Sequence, residues 1–89
     1  MKVVGFIRVP EADMAAVEAH LDEHIRLTRA EAGCLEFSVR QRPDDAHVFD
    51  VYEEFVAERA FKAHQERAAK SAWGKITRNV SRHYDVQPD

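Results

Sequence analysis

The 89-residue sequence contains a single cysteine, Cys34, which rules out a disulfide within the chain. A lone thiol also suits a reducing compartment better than a secreted one. Long apolar runs are absent too. The opening Met1–Pro10 starts basic and apolar, as a signal peptide does, but Arg8 interrupts it and no small-residue cleavage site follows. No stretch approaches the roughly 20 apolar residues of a membrane helix. Nor is there an excess of positive charge: 13 basic and 16 acidic residues are mixed throughout, for a net charge of −3. A nucleic-acid partner, which usually requires a basic stripe, is not expected. These absences together predict a soluble, cytoplasmic protein with no membrane association.

A hydrophobic content of 45 % is ordinary for a globular chain and too high for disorder. The length allows one domain, spanning 1–89. A core this small is marginal alone, and oligomerisation is one common remedy.

Val3–Val9 is rich in β-branched residues and stops at Pro10, which predicts a strand. Val3, Ile7 and Val9 lie on one face and Val4 and Phe6 on the other, so this strand calls for cover on both faces. In Glu11–Glu31, Met14, Val17, Leu21, Ile25 and Thr28 fall on one helical stripe. Pro10 suits the entrance, and Gly33 suits a left-handed position past the end. Cys34–Gln41 alternates Leu35, Phe37 and Val39 against Glu36, Ser38 and Arg40. The turn residues Arg42-Pro43-Asp44-Asp45 separate it from a second alternating run, His47–Phe55, giving a hairpin. Ala57–Ala72 reads as helix, broken or bent at Trp73-Gly74. Ile76–Val86 reads as a last strand carrying Arg78 and Arg82, before a polar tail, Gln87-Pro88-Asp89.

The order βαββαβ predicts an α+β, ferredoxin-like fold, with two helices on one face of a four-stranded antiparallel sheet. Phe6 or Ile7, Phe37 and Phe49 exceed what two short helices can hide. The open sheet face is therefore expected to pair with a second copy in a symmetric homodimer.

Three segments at this spacing resemble one family. A helix ends in Glu31-Ala32-Gly33-Cys34, a later strand ends in Tyr52-Glu53-Glu54-Phe55, and the next helix carries Ala60-Phe61-Lys62-Ala63-His64. Together they resemble the antibiotic biosynthesis monooxygenase superfamily over nearly the whole chain. The resemblance implies a dimeric α/β barrel with a small-molecule pocket between the sheet and helices of each subunit. It implies chemistry less narrowly. Some members oxidise phenols or hydroquinones with O2 and no metal or flavin, others act on small phosphorylated sugars or signal molecules or degrade haem, and some have no known activity.

His64 shares a helix face with Phe61. It is either a core histidine bonded to backbone or, as the family pattern implies, a pocket base, with a metal role a distant third. Trp73 either packs the core or dimer or closes the same pocket, while Phe61 reads more naturally as core. Phe49 is a further candidate for the pocket wall. Glu53, Arg78 and Arg82 fall on neighbouring strands, where a cross-strand salt bridge competes with stabilisation of a bound anion. His20-Leu21-Asp22-Glu23-His24 has H-x-x-E-H zinc-peptidase spacing. The chain is too small for the third ligand, so a chance match on a solvated face is the better reading. Cys34 has no base near it in sequence and reads as a small buried hydrophobe. A glycine-rich phosphate loop is missing, so no nucleotide cofactor is expected, nor is a metal. Val3–Val9 lacks the Asn found in haem-degrading relatives. The leading expectation is a cofactor-independent monooxygenase acting on a small aromatic substrate with His64 as base. The alternatives are an isomerase or lyase for a small polar metabolite, favoured by converging charged groups, and a non-enzymatic binding module, favoured by a filled pocket.

Overall fold

Alternation along the strands decides which face of the sheet is dry. The structure is a computed structural model that describes residues 1–88. Its strands are β1 (Lys2–Arg8), β2 (Cys34–Gln41), β3 (Val48–Phe55) and β4 (Ser81–Gln87). The helices are α1 (Met14–Arg29), preceded by a 3-10 turn at Glu11–Asp13, then α2 (Glu58–Lys70) and the short α3 (Ala72–Ile76). The strands form one sheet in the order β2-β3-β1-β4, with every neighbouring pair antiparallel. This is the ferredoxin-like arrangement, with the helices on one face.

Val3 and Ile7 of β1, Phe37 of β2, and Phe49, Val51, Glu53 and Phe55 of β3 are all buried. Opposite them α1 contributes Val17, His24 and Thr28, α2 contributes Phe61 and His64, and α3 contributes Trp73. The apolar residues form two clusters. Ile7, Val9, Val17, Phe49, Val51, Trp73 and Val80 make the larger, and Met1, Val3, Phe55 and Phe61 the smaller. In the hairpin turn, the Asp45 carboxylate accepts from the His47 amide at 3.1 Å, the local back-bonding that makes Asp a turn residue.

Several expectations need correction. Ile7, Phe37 and Phe49 do not lie on the open face: they are 4 %, 3 % and 2 % exposed beneath the helices. The extra cover comes from α3, whose last residue, Ile76, sequence spacing assigns to a strand. The last strand starts at Ser81 rather than Ile76, so Ile76 is helical and Arg78 sits in a turn. The chain breaks at Ser71, whose extended backbone separates α2 from α3, and not at Trp73-Gly74. Gly74 lies inside α3, where a Cβ would stand 2.5 Å from the Ala68 and Ala69 carbonyl oxygens.

Gly33 is not left-handed, since none of the described residues has a positive φ of that kind. Its Cβ would instead lie 2.3 Å from that of Ala60, so glycine is required for close approach to α2. Leu35 does not share the buried face of Phe37. A register shift between Cys34 and Glu36 leaves it 59 % exposed. Cys34 is half-buried against the smaller cluster, and burial raises its thiol pKa, keeping it protonated. In the expected tail, Gln87 closes β4 and Asp89 lies outside the described residues.

Among the described residues no helix covers the second face of β1. Val4 is 40 % exposed, and its cross-strand neighbours are Tyr52 and Asp85. Phe6 is half-buried between the His83 ring, stacked at 4.5 Å, and the Arg42 guanidinium, 4.9 Å above its centre.

Candidate functional site

A cavity of about 330 Å³ lies between the sheet and the helices. Ile7, Phe37, Val39, Val51, Ala68, Ala69 and Trp73 give it apolar wall, and His24, Glu53, Thr77, Arg78, Arg82 and Tyr84 give it polar wall. β3 places Glu53 here because its side chain falls on the same dry face as Val51 and Phe55. The carboxyl is almost sealed. Its Oε1 is buried without a hydrogen-bond partner, and the nearest basic atom is His64 Nε2 at 3.8 Å. Burial, reinforced by the nearby charge of Glu31 and opposed by Arg82, raises the Glu53 pKa to about 7.

The expected cross-strand salt bridge to Glu53 is not the arrangement found. Arg82 instead donates to Thr77 Oγ1 at 2.9 Å and to the carbonyls of Thr77 and Val80. It contributes its field to the cavity rather than a contact with the carboxylate. Tyr84 on β4 lies in the same wall, its phenol pushed up to about 12 by burial and by the Glu53 charge, against the pull of Arg82. Arg78 is exposed in the turn after α3 and lines the cavity from there.

Trp73 lies in the cavity wall, stacked on His24 with ring centres 4.5 Å apart and planes 6° from parallel. His24 was expected at the edge of a solvated face and is only 5 % exposed. Burial first, and then repulsion from His64 when protonated and from Arg67 and Arg82, hold its pKa down to about 3, so the ring is neutral. Its Nδ1 is buried without a partner. His20, the other histidine of the H-x-x-E-H pattern, is exposed and bonded to the Ala16 carbonyl. Among the described residues no group of three or more His, Cys, Asp and Glu side chains is placed to hold a metal ion.

His64 is 6 % exposed and lies behind Glu53 rather than in the cavity wall. Its Nδ1 bonds the Glu31 carboxylate at 3.1 and 3.2 Å, and Glu31 also accepts from Arg67 Nε. Arg67 in turn donates to Thr28 Oγ1 at 3.0 Å. Burial lowers the His64 pKa, with Glu31 pulling it back up. Phe61 packs on Phe55 in the smaller cluster and Phe49 in the larger, and neither lines this cavity. The structure thus gathers Glu53, Trp73, Arg78 and Arg82 at one cavity, with His64 one shell out.

His24, Glu31, Arg67 and Tyr84 were missed as site residues. For His24 the signal was available, because Val17, Leu21, His24 and Thr28 keep helical spacing and put the ring on the buried stripe.

The profile of the antibiotic biosynthesis monooxygenase family matches residues 1–75, and the chain belongs to that family. Comparison with curated proteins gives no significant match. Among solved structures, the chain is similar to a candidate antibiotic biosynthesis monooxygenase from Nitrosomonas europaea, with a TM-score of 0.78 and 19 % identity over 98 % of both chains. A similarly described protein from Deinococcus radiodurans gives 0.71 and 16 % over 100 % of this chain and 94 % of that one. A protein from Shewanella oneidensis gives 0.69 and 26 % over 94 % and 86 %. At these identities the likeness to the first two concerns fold alone. None of the described helices is long and apolar enough to cross a membrane.

Proposed function

We propose that this chain is a cofactor-independent monooxygenase that oxidises a small aromatic substrate, a hydroquinone or polyphenol, with O2 in the cavity between sheet and helices. The observation that carries this reading is Glu53, a buried carboxyl in the cavity wall whose pKa of about 7 suits a general base at neutral pH. Trp73 and Phe37 offer aromatic wall for a flat ring. A phenol ionises near pH 10, so proton transfer to Glu53 is uphill by about three pKa units, or ~4 kcal/mol. The neighbouring Arg82 charge offsets part of that by favouring the phenolate.

The phenolate then reduces O2. One oxygen atom enters the ring and the other leaves as water, and the substrate supplies all four electrons and both hydrogens of that water. The protein's tasks are deprotonation, orientation and stabilisation of the anion. A second copy seated on the open sheet face belongs to the same proposal, supported by the exposed Val4 and the half-buried Phe6 and Tyr52.

Arg78, Arg82, Glu53 and Tyr84 around one cavity also favour a second reading, an isomerase or lyase for a small polar metabolite. A purely structural binding module has less support, because His64 is held by a carboxylate rather than by backbone and the cavity is not filled.

Oxygen uptake by metal-stripped protein, measured with a panel of hydroquinones and polyphenols, tests the oxygenase. Glu53→Gln should cut kcat/KM by about 10²- to 10⁴-fold. In the native protein kcat/KM should rise as pH increases through about 7, because the base must first lose its proton. No uptake with any substrate, or uptake unchanged in Glu53→Gln, would move the assignment to the isomerase or the binding module.

A further inference from the structure

Behind the cavity wall lies a second set of titratable groups that substrate contact does not use. Glu53 Oε1, His64 Nε2, His64 Nδ1 and Glu31 follow one another inward-to-outward, at 3.8 Å and then 3.1 Å. Glu31 and His64 line a separate surface cavity on the other side, with Ala60, Ala63 and Arg67. A carboxylate only accepts, so the Nδ1–Glu31 bond puts the imidazole proton on Nδ1 and leaves Nε2 a bare acceptor facing Glu53.

We propose that His64 stores the proton that Glu53 takes from the bound ligand, with Glu31 holding the resulting imidazolium. The proposal rests on the reading of Glu53 as the base and makes His64 a positioning and relay residue, not a substrate contact. In the step, the O–H bond of protonated Glu53 breaks and an N–H bond forms at His64 Nε2. Glu53 returns to carboxylate and the ring becomes a cation. On the return, the same proton passes back through Glu53 to the oxygen that leaves as water, so the ring recovers its resting tautomer.

The geometry fits each requirement. The gap of 3.8 Å exceeds a hydrogen bond by under an ångström, which a small rotation of either side chain closes. Arg67, itself anchored by donating to Thr28 Oγ1, fixes Glu31 from the other side, so the anion that would stabilise the cation is already oriented. The remaining groups facing His64 are the neutral His24, 6.0 Å away, the rings of Phe37 and Phe55, and the charge of Arg67, which opposes protonation. Burial keeps the resting ring neutral and opposes its protonation, so it is the Glu31 carboxylate on Nδ1 that must draw the proton onto the ring.

Nitrogen-15 histidine NMR on the full chain, titrated with pH, tests this without any substrate. His64 should rest with its proton on Nδ1. Glu31→Gln should lower its proton affinity by tenfold or more, and Glu53→Gln should shift its midpoint because the two groups titrate as a pair. A resting proton on Nε2, or a His64 titration unmoved by Glu31→Gln, overturns the proposal. An activity arm separates its failure from that of the oxygenase. With a working substrate, Glu31→Gln should lower kcat while KM stays put, and added imidazoles should rescue His64→Gly to an extent that follows their pKa values. Rescue independent of imidazole pKa overturns the proton store while leaving the oxygenase standing. Absence of any oxygen uptake sinks the oxygenase, and the NMR titration still decides whether His64 and Glu53 share a proton.

Discussion

Glu53 and His24 are buried ionisable groups whose protonation penalties run in opposite directions. Glu53 has a folded pKa of about 7 against an ordinary 4.5, so the folded state retains a proton that the unfolded chain gives up. The stability this confers is complete below pH 4.5 and is lost as pH rises through about 7. The difference of about 2.5 units corresponds to at most ~3 kcal/mol. His24, held near 3 against an ordinary 6.5, behaves oppositely: its contribution is present above pH 6.5 and disappears as pH falls toward 3. Between pH 4.5 and 6.5 the two trends offset each other. Glu53→Gln removes only the alkaline penalty. Thermal and urea unfolding across pH should show the variant gaining on the native protein by up to ~3 kcal/mol between pH 4.5 and 8. A constant difference over that range would mean that Glu53 is not held neutral.

At the scale of elements, β4 pairs with β1 along its whole length, and the two strands leave no room for a side chain at Gly5. Gly5 of β1 lies opposite Tyr84, and a Cβ there would stand 2.0 Å from the His83 carbonyl oxygen. That neighbour is backbone, so Gly5→Ala must push β1 and β4 apart. Because β4 carries Arg82 and Tyr84 into the cavity wall, the polar side of the site moves with it. Hydrogen exchange should show amides of 81–87 losing protection while β2 and β3 keep theirs, at a cost of about 1–3 kcal/mol. Equal protection in variant and native protein would show that β4 tolerates the methyl group.

Elements with one dominant period were legible in the sequence. β2 runs from Cys34 to Gln41, as alternation predicted, and α1 follows its apolar stripe. The last quarter was not, because Ile76, Val80 and Tyr84 recur every four residues and satisfy an even spacing as well as a helical turn. The missed cue was Ser71, whose hydroxyl accepts from the Gly74 amide at 3.3 Å and so starts α3 as a cap. At the site, Glu53, Trp73 and the arginines could be named from sequence. Glu31 and Arg67 could not, because charged residues at the end of one helix and along another give no sign that folding brings them against His64.

As a whole the molecule is two layers, 18 Å along its shortest axis, and among the described residues all the helices lie on one side of the sheet. A specific dimer interface commonly covers about 800 Å² per partner, which is about one-seventh of this chain's 5584 Å² of surface. The proposed interface carries Val4, Phe6 and Tyr52 among charged neighbours such as Arg40, Asp50 and Glu54, so its apolar centre is small and sensitive to added charge. A charge at Phe49, which the sequence alone puts among the residues two helices cannot hide, does not probe it. That side chain is 2 % exposed under the helices, and a carboxylate there should prevent folding altogether. Val4→Asp is the right probe, because Val4 is 40 % exposed and the new carboxylate lies beside Asp85, in a face that a dimer would dehydrate twice over. Its cost to a single chain should be about 1–2 kcal/mol, from the poor strand propensity of Asp and the like charge of Asp85 opposite, which is too little to unfold it. Sedimentation should therefore show native dimers and Val4→Asp monomers, with far-ultraviolet circular dichroism unchanged. If Val4→Asp sediments with the native protein, the second copy does not sit on this face.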